Sequence, residues 1–110
     1  MVNFMDILKP KKLNKGDKIA LISPSAPLAS MVPHRVDATI ENLKKIGLDV
    51  FITKNALLKS DYTAGSAEER AEDFMAAFAD SSISAVMSFI GGFHSNQILE
   101  HIDFDWGCTR

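Results

Sequence analysis

Three short apolar runs punctuate the chain: "KIALIS" (residues 18–23), "LDVFIT" (48–53) and "SAVMSFI" (84–90). The first is a continuous apolar run bounded by "KGD" and "SPSAP", the pattern of a strand buried on both faces. The second carries the β-branched and aromatic residues that strands favour. Between them Val36, Ile40 and Leu43 follow helical spacing, with Ile46 one turn beyond Leu43. Pro33 suits the first turn of that helix, where its missing N–H is no loss, and Gly47 suits its stop. The Ser- and Pro-rich "SPSAPLASMVP" before it predicts a loop. So does the polar "KNALLKSDYTAG" after the second strand, with room for a short helical turn.

The clearest helix is "SAEERAEDFMAAFAD" (66–80). Ser66 and Glu69 have the spacing of a capping box, in which each satisfies the other's end of the first turn. Ala71, Phe74, Met75 and Phe78 line one face, and Glu68, Glu72 and Asp73 fall mostly on the other. Arg70 and Asp73, three residues apart, predict an intrahelical ion pair with no catalytic role. After "GG" at 91–92, Ile98, Leu99 and Ile102 suggest a last helix, with Ser95 as its cap.

The order is therefore β-α-β-α-β-α, without internal repeat or low-complexity segment. Strands alternating with helices imply a three-layer α/β fold with a small parallel sheet and right-handed crossovers. Ligands of such sheets sit at the carboxyl ends of the strands. "SPSAP" after the first strand and "GGFHSN" after the third share that edge.

Length and composition narrow the picture. The 110 residues amount to one domain, and 46% apolar with 24% charged residues is ordinary for a globular protein. A net charge of −2 gives no electrostatic case for nucleic acid or a membrane surface as partner. The basic "KPKKLNKGDK" (9–18), broken by Pro, Asn and Gly, reads as a solvated loop. With Cys108 the only cysteine, no internal disulfide is possible and a reducing compartment is expected. No signal-peptide pattern opens the chain and no window has bilayer-spanning length, so the expectation is a soluble, cytoplasmic protein.

The glycine pair is the main chemical signal. At a strand's carboxyl end Gly91 and Gly92 let the backbone turn and let a ligand approach without meeting a Cβ. The amides there, ahead of a helix, can hold a phosphate, a carboxylate or the oxyanion of a tetrahedral intermediate. The same pair could equally serve only a tight turn. A dinucleotide site is disfavoured because no G-x-G-x-x-G is present, and no P-loop follows a strand. Ser95 has poor bases in His94, which is adjacent, and His101, which lies off its face. His101, Asp103 and Asp105 alternate, but the pattern is read as structural or solvated rather than as metal ligands. His34 is expected to be exposed, and Cys108 has no base near it in sequence. No cofactor or metal is implied.

Two longer stretches carry a resemblance. "KGDKIALISPSAP" and "TAGSAEERAEDFMAAFADSSISAVMSFIGGFHSNQILEHIDFD" are similar to the front portion of the LD-carboxypeptidase family of serine peptidases. "IGGFHSNQIL" resembles most its microcin self-immunity branch. The likeness runs from about residue 13 to 105 and keeps its motifs in order. It implies an N-terminal α/β domain joined to a larger C-terminal domain, with the active site between them. By the same resemblance Gly91, Gly92 and Phe93 would offer amides to the oxyanion, and Ser23, Pro24 and Ser25 would line the neighbouring loop.

The family's nucleophile lies in a Gly-Tyr-Ser-Asp motif beyond the "ID-D" segment, and its glutamate and histidine partners come later. No residue here matches any of the three, so no catalytic residue is assigned. The expectation is an N-terminal fragment, inactive alone, of an enzyme that cleaves a peptidoglycan tetrapeptide or a peptide-nucleotide antibiotic. Two alternatives stand beside it: a stand-alone module for a small anion or carboxylate, and a domain that self-associates through its open sheet edges.

Overall fold

The computed structural model describes residues 9–104. Strand β1 (Lys18–Ile22) is the centre of a three-stranded sheet, with β2 (Asp49–Ile52) and β3 (Ile83–Ser88) as parallel neighbours in the order β2-β1-β3. Register pairs Ile19 with Val50 and Ala85, and Leu21 with Ile52 and Met87. An irregularity between Lys18 and Ile19 leaves Ser84 as an extra residue on β3. Burial follows position. Ile19 to Ile22 are all buried, as a central strand covered on both faces requires, whereas β2 alternates exposed and half-buried residues.

Helix α1 (Leu28–Met31) and helix α2 (Pro33–Lys45) connect β1 to β2, and α3 (Ala67–Ala79) connects β2 to β3. Right-handed crossovers send α2 to one face of the sheet and α3 to the other. Accordingly α2 packs on β2, α3 packs on β1 and β3, and the two helices do not touch. On the α3 face Ala20, Ile22, Ala77 and Ile83 form a buried cluster, backed by Phe74 and Val86. Burial of one such isoleucine stabilises the fold by roughly 1.5–3 kcal/mol.

The predicted α/β order and parallel sheet hold, with Pro33 in the first turn of α2. Gly47, at φ +96°, follows the C-terminal residue Ile46. The capping box is present: Glu69 N–H donates to Ser66 Oγ at 3.1 Å, and Ser66 N–H donates to Glu69 Oε1 at 2.9 Å. Three local expectations change. The Ser/Pro-rich segment contains a short helix, α1. The last helix is a 3-10 helix (Ser95–His101) capped at His94 without a side-chain bond, so Ser95 is its first residue rather than its cap. The carbonyl of His94 accepts both Gln97 N–H, at 3.1 Å, and Arg70 Nη1, at 2.9 Å, and so closes that first turn at three residues. Finally, Asp73 is buried rather than on the polar face of α3.

Candidate functional site

Helices α2 and α3 leave the sheet on opposite sides, so a crevice opens between the carboxyl ends of the adjacent strands β1 and β3. Open α/β sheets bind ligands at such a reversal of strand order. Two loops meet there, residues 23–27 and 89–94.

The β1 loop is built from beneath. Ser23 Oγ donates to the Ala56 carbonyl at 2.8 Å, and the Ser25 carbonyl accepts Ala64 N–H at 2.9 Å. Ser25 is 0% exposed, and its Oγ accepts His94 N–H at 3.0 Å. Ala26 N–H reaches the Gly91 carbonyl at 3.5 Å. Both serine side chains therefore join loop to loop inside the fold, and half-buried Pro24 turns its carbonyl to Arg70.

The two glycines prove unequal. Gly92 has φ +146°, and a Cβ there would run into the Ser25 hydroxyl and lie 3.3 Å from Ala26 N. A Cβ on Gly91 would meet nothing within 4 Å. Gly92 is thus demanded by the close approach of the two loops, while Gly91 borders open space. Among the described residues no acceptor takes the N–H of Gly91, Gly92 or Phe93. A depression of about 390 Å³ lies over them, lined by Ser25, Ala26, Tyr62, Ile90 and His94 as well. Phe93 is 96% exposed and Tyr62 80%, which gives the depression an apolar rim around unsatisfied donors.

Arg70, which sequence reasoning paired with Asp73, holds this arrangement. It is 3% exposed and has no ion pair among the described residues. Its Nε donates to the Ser66 carbonyl at 3.2 Å. Nη1 donates to the carbonyls of Pro24 and His94, each at 2.9 Å, and Nη2 to Gln97 Oε1 at 2.8 Å. Burial pulls the guanidinium below its ordinary value, opposed by the charge of Glu68, yet an arginine stays charged.

Asp73, 4% exposed, serves the loop after β2. Its carboxylate accepts Thr53 Oγ1 at 2.8 Å, Asn55 N–H at 3.0 Å and Asn55 Nδ2 at 3.0 Å. Burial raises its pKa, and the bonds from Thr53 and Asn55 oppose the rise. The intrahelical pair is therefore absent because this face of α3 turns inward under the rim, where loop partners reach both groups. A sequence signal existed: Arg70, Asp73 and Ala77 share an i, i+3, i+7 face with a small, buried residue.

The remaining candidates do not gather at the site. His34 is exposed, and His101 Nε2 lies 3.6 Å from Glu68 Oε1 and 3.5 Å from Glu100 Oε1. Asp105 and Cys108 lie outside the described residues. No cluster of three metal-ligating side chains occurs among the described residues, and no helix there is long and apolar enough to cross a membrane.

Comparison with known proteins agrees with this geometry. A family model described as the LD-carboxypeptidase N-terminal domain matches residues 19–107. The chain is 36% identical to the probable murein peptide carboxypeptidase of Bacillus subtilis, covering 87% of this chain and 29% of that protein. It is 32% identical to the microcin C7 self-immunity protein MccF of Escherichia coli, covering 82% of this chain and 26% of that protein. A solved structure of MccF in the wild-type apo state superposes with a TM-score of 0.86 and 31% identity, over 91% of this chain and 30% of that one. The chain thus spans less than a third of the length of these proteins.

Proposed function

The chain belongs to the LD-carboxypeptidase family through its N-terminal domain, and from that footing we propose that its glycine loop supplies the oxyanion-side amides of a serine carboxypeptidase. The substrate would be a peptide ending in a free carboxylate. A peptidoglycan-derived peptide or a peptide-nucleotide fits the names of the murein and microcin relatives. A hydroxyl supplied from outside residues 9–104 gives its proton to a base there and adds to the carbonyl carbon of the scissile amide. The carbonyl oxygen takes up negative charge, which the N–H groups of residues 91–93 stabilise, until collapse breaks the C–N bond and the amine leaves with that proton. Donors already fixed in place need no reorganisation as charge develops; loss of one such donor typically costs about 100- to 1,000-fold in kcat.

The observation that carries the reading is a row of backbone donors left without acceptors among the described residues, in a crevice at the carboxyl ends of β1 and β3. The nucleophile is assigned to polypeptide outside residues 9–104. Within them, Ser25 is buried beneath the loop, and no hydrogen bond joins a serine hydroxyl to a histidine ring. Without that hydroxyl and the rest of the substrate cleft, residues 9–104 would show residual catalysis at most.

A graft tests the proposal. Residues 9–104 replace the matching segment of the Bacillus subtilis relative, and release of the terminal amino acid from a murein tetrapeptide is followed. The graft is expected to hydrolyse the peptide, and Gly92→Val to lower kcat about 100-fold or more. A folded, active graft whose kcat is unaffected by Gly92→Val sinks the reading.

A further inference from the structure

We infer that Arg70 is a positioning residue: its guanidinium fork sets the spacing between the β1 loop and the glycine loop, and thereby aims the amides of residues 91–93. This deepens the oxyanion reading and rests on it for its functional meaning. Among the described residues the glycine loop is fastened chiefly at its two ends. It begins where Phe89 N–H extends the β1–β3 ladder to the Ile22 carbonyl at 2.9 Å. It ends at His94, whose N–H is held by Ser25 Oγ and whose carbonyl is held by Arg70 Nη1. Between those anchors the sole backbone bond among the described residues is the long one from Ala26 N–H to the Gly91 carbonyl.

The direction of the free amides therefore depends on where His94 sits relative to Pro24, and one nitrogen, Arg70 Nη1, bonds the carbonyls of both. The other guanidinium nitrogens tie that point to Ser66, at the start of α3, and to Gln97 in the 3-10 helix. All four acceptors belong to the rim. A planar fork fixes its acceptors in space; a lysine ammonium carries the same charge on one atom and cannot reach both loops and Ser66 together. Arg70→Lys is therefore the diagnostic substitution, since it keeps the charge and removes the geometry.

The test follows amide signals of the isotope-labelled 110-residue chain by NMR. Arg70→Lys is expected to shift or broaden Gly91, Gly92 and Phe93. It should also speed hydrogen exchange at Ala26 and His94 about tenfold or more, while amides of the β1–β2 ladder keep their protection. Asp73→Asn, on the same helix, should disturb Thr53 and Asn55 and leave the glycine loop unmoved. Arg70→Lys that lowers the melting temperature yet leaves the Gly91–Phe93 signals and the His94 exchange rate as in the parent overturns the inference. Should Arg70→Lys fail to fold, Gln97→Ala removes a single exposed partner and must still move His94 and Phe93; unchanged signals there overturn it equally.

These readouts need no catalysis. A clamp that holds while Gly92→Val spares the graft would refute the oxyanion role and leave the clamp standing. In an active graft, Arg70→Lys is expected to lower kcat about 100-fold with KM within about twofold, since displacement of about an ångström is enough for such a loss. A rise in KM alone contradicts the aiming role.

Discussion

Arg70 and Asp73 lie one turn apart on α3, both nearly sealed from water, and they organise different parts of the rim. Asp73 receives hydrogens from the loop after β2; Arg70 gives hydrogens to the loops after β1 and β3. Neither is balanced by an ion partner among the described residues. A buried charge of either sign is held here by loop dipoles, and one helix face thereby fixes all three strand-end loops. The two hubs differ in what their loss leaves behind. A carbonyl has two lone pairs, and that of His94 would keep Gln97 N–H after Arg70 is gone. The N–H of Asn55 has one hydrogen and no second acceptor once the carboxylate is removed. Orphaned donors are the rarer and costlier defect.

The largest effect expected from that contrast is in stability. Asp73→Ala should cost about 3 kcal/mol in urea unfolding, from the stranded N–H of Asn55 and the lost bonds of Thr53 and Asn55 Nδ2, which keep only the Leu21 and Glu69 carbonyls. Arg70→Met, which keeps an apolar stem, should cost about 2 kcal/mol. Reversal of that order would break the distinction between stranded donors and stranded acceptors.

Next comes the glycine pair, which rests on the Arg70 hub. Gly92→Ala should destabilise by about 2 kcal/mol, through its φ and the Ser25 contact. Gly91→Ala, facing open space, should stay within about 0.5 kcal/mol. Equal losses at the two positions would show that the loops do not meet as described.

The smallest effect is a pH dependence confined to the Asp73 hub. Its folded pKa is raised, chiefly by burial, so between the ordinary carboxyl value and that higher value the native state holds the extra proton. Stability from this group is therefore greatest at the acid side and falls as pH rises through the interval. The difference between the stability–pH curves of the parent and Asp73→Asn should slope in that sense. Curves that run parallel would remove the buried carboxyl from the account.

Much of this was legible in the chain because it is local. A continuous apolar strand, a proline in a first turn, a Ser–Glu capping box and a helix stop at Gly47 each follow from neighbours within a few residues. The glycine pair at the end of a strand marked a turn at the carboxyl edge of the sheet for the same reason. What escaped was set by partners far away in sequence. Ser25 and His94, or Arg70 and Pro24, are dozens of residues apart, and the shared face of Arg70, Asp73 and Ala77 is too slight a signal by itself to tell an inward charge from a solvated one. The reading of Arg70 and Asp73 as an intrahelical ion pair failed on that point.

By itself the amino-acid sequence determined the order of strands and helices, the parallel sheet and the edge at which the strand-end loops lie. Hydrophobic period and turn chemistry act over one or two turns of chain. Only the tertiary structure decided that Gly92 is constrained while Gly91 is free, that two serines support the loop from inside, and that a buried guanidinium joins the loops. Those outcomes depend on which backbone carbonyls and N–H groups are brought together when α3 packs beneath the rim, and hydrogen-bond geometry of that kind exists only after the chain has closed on itself.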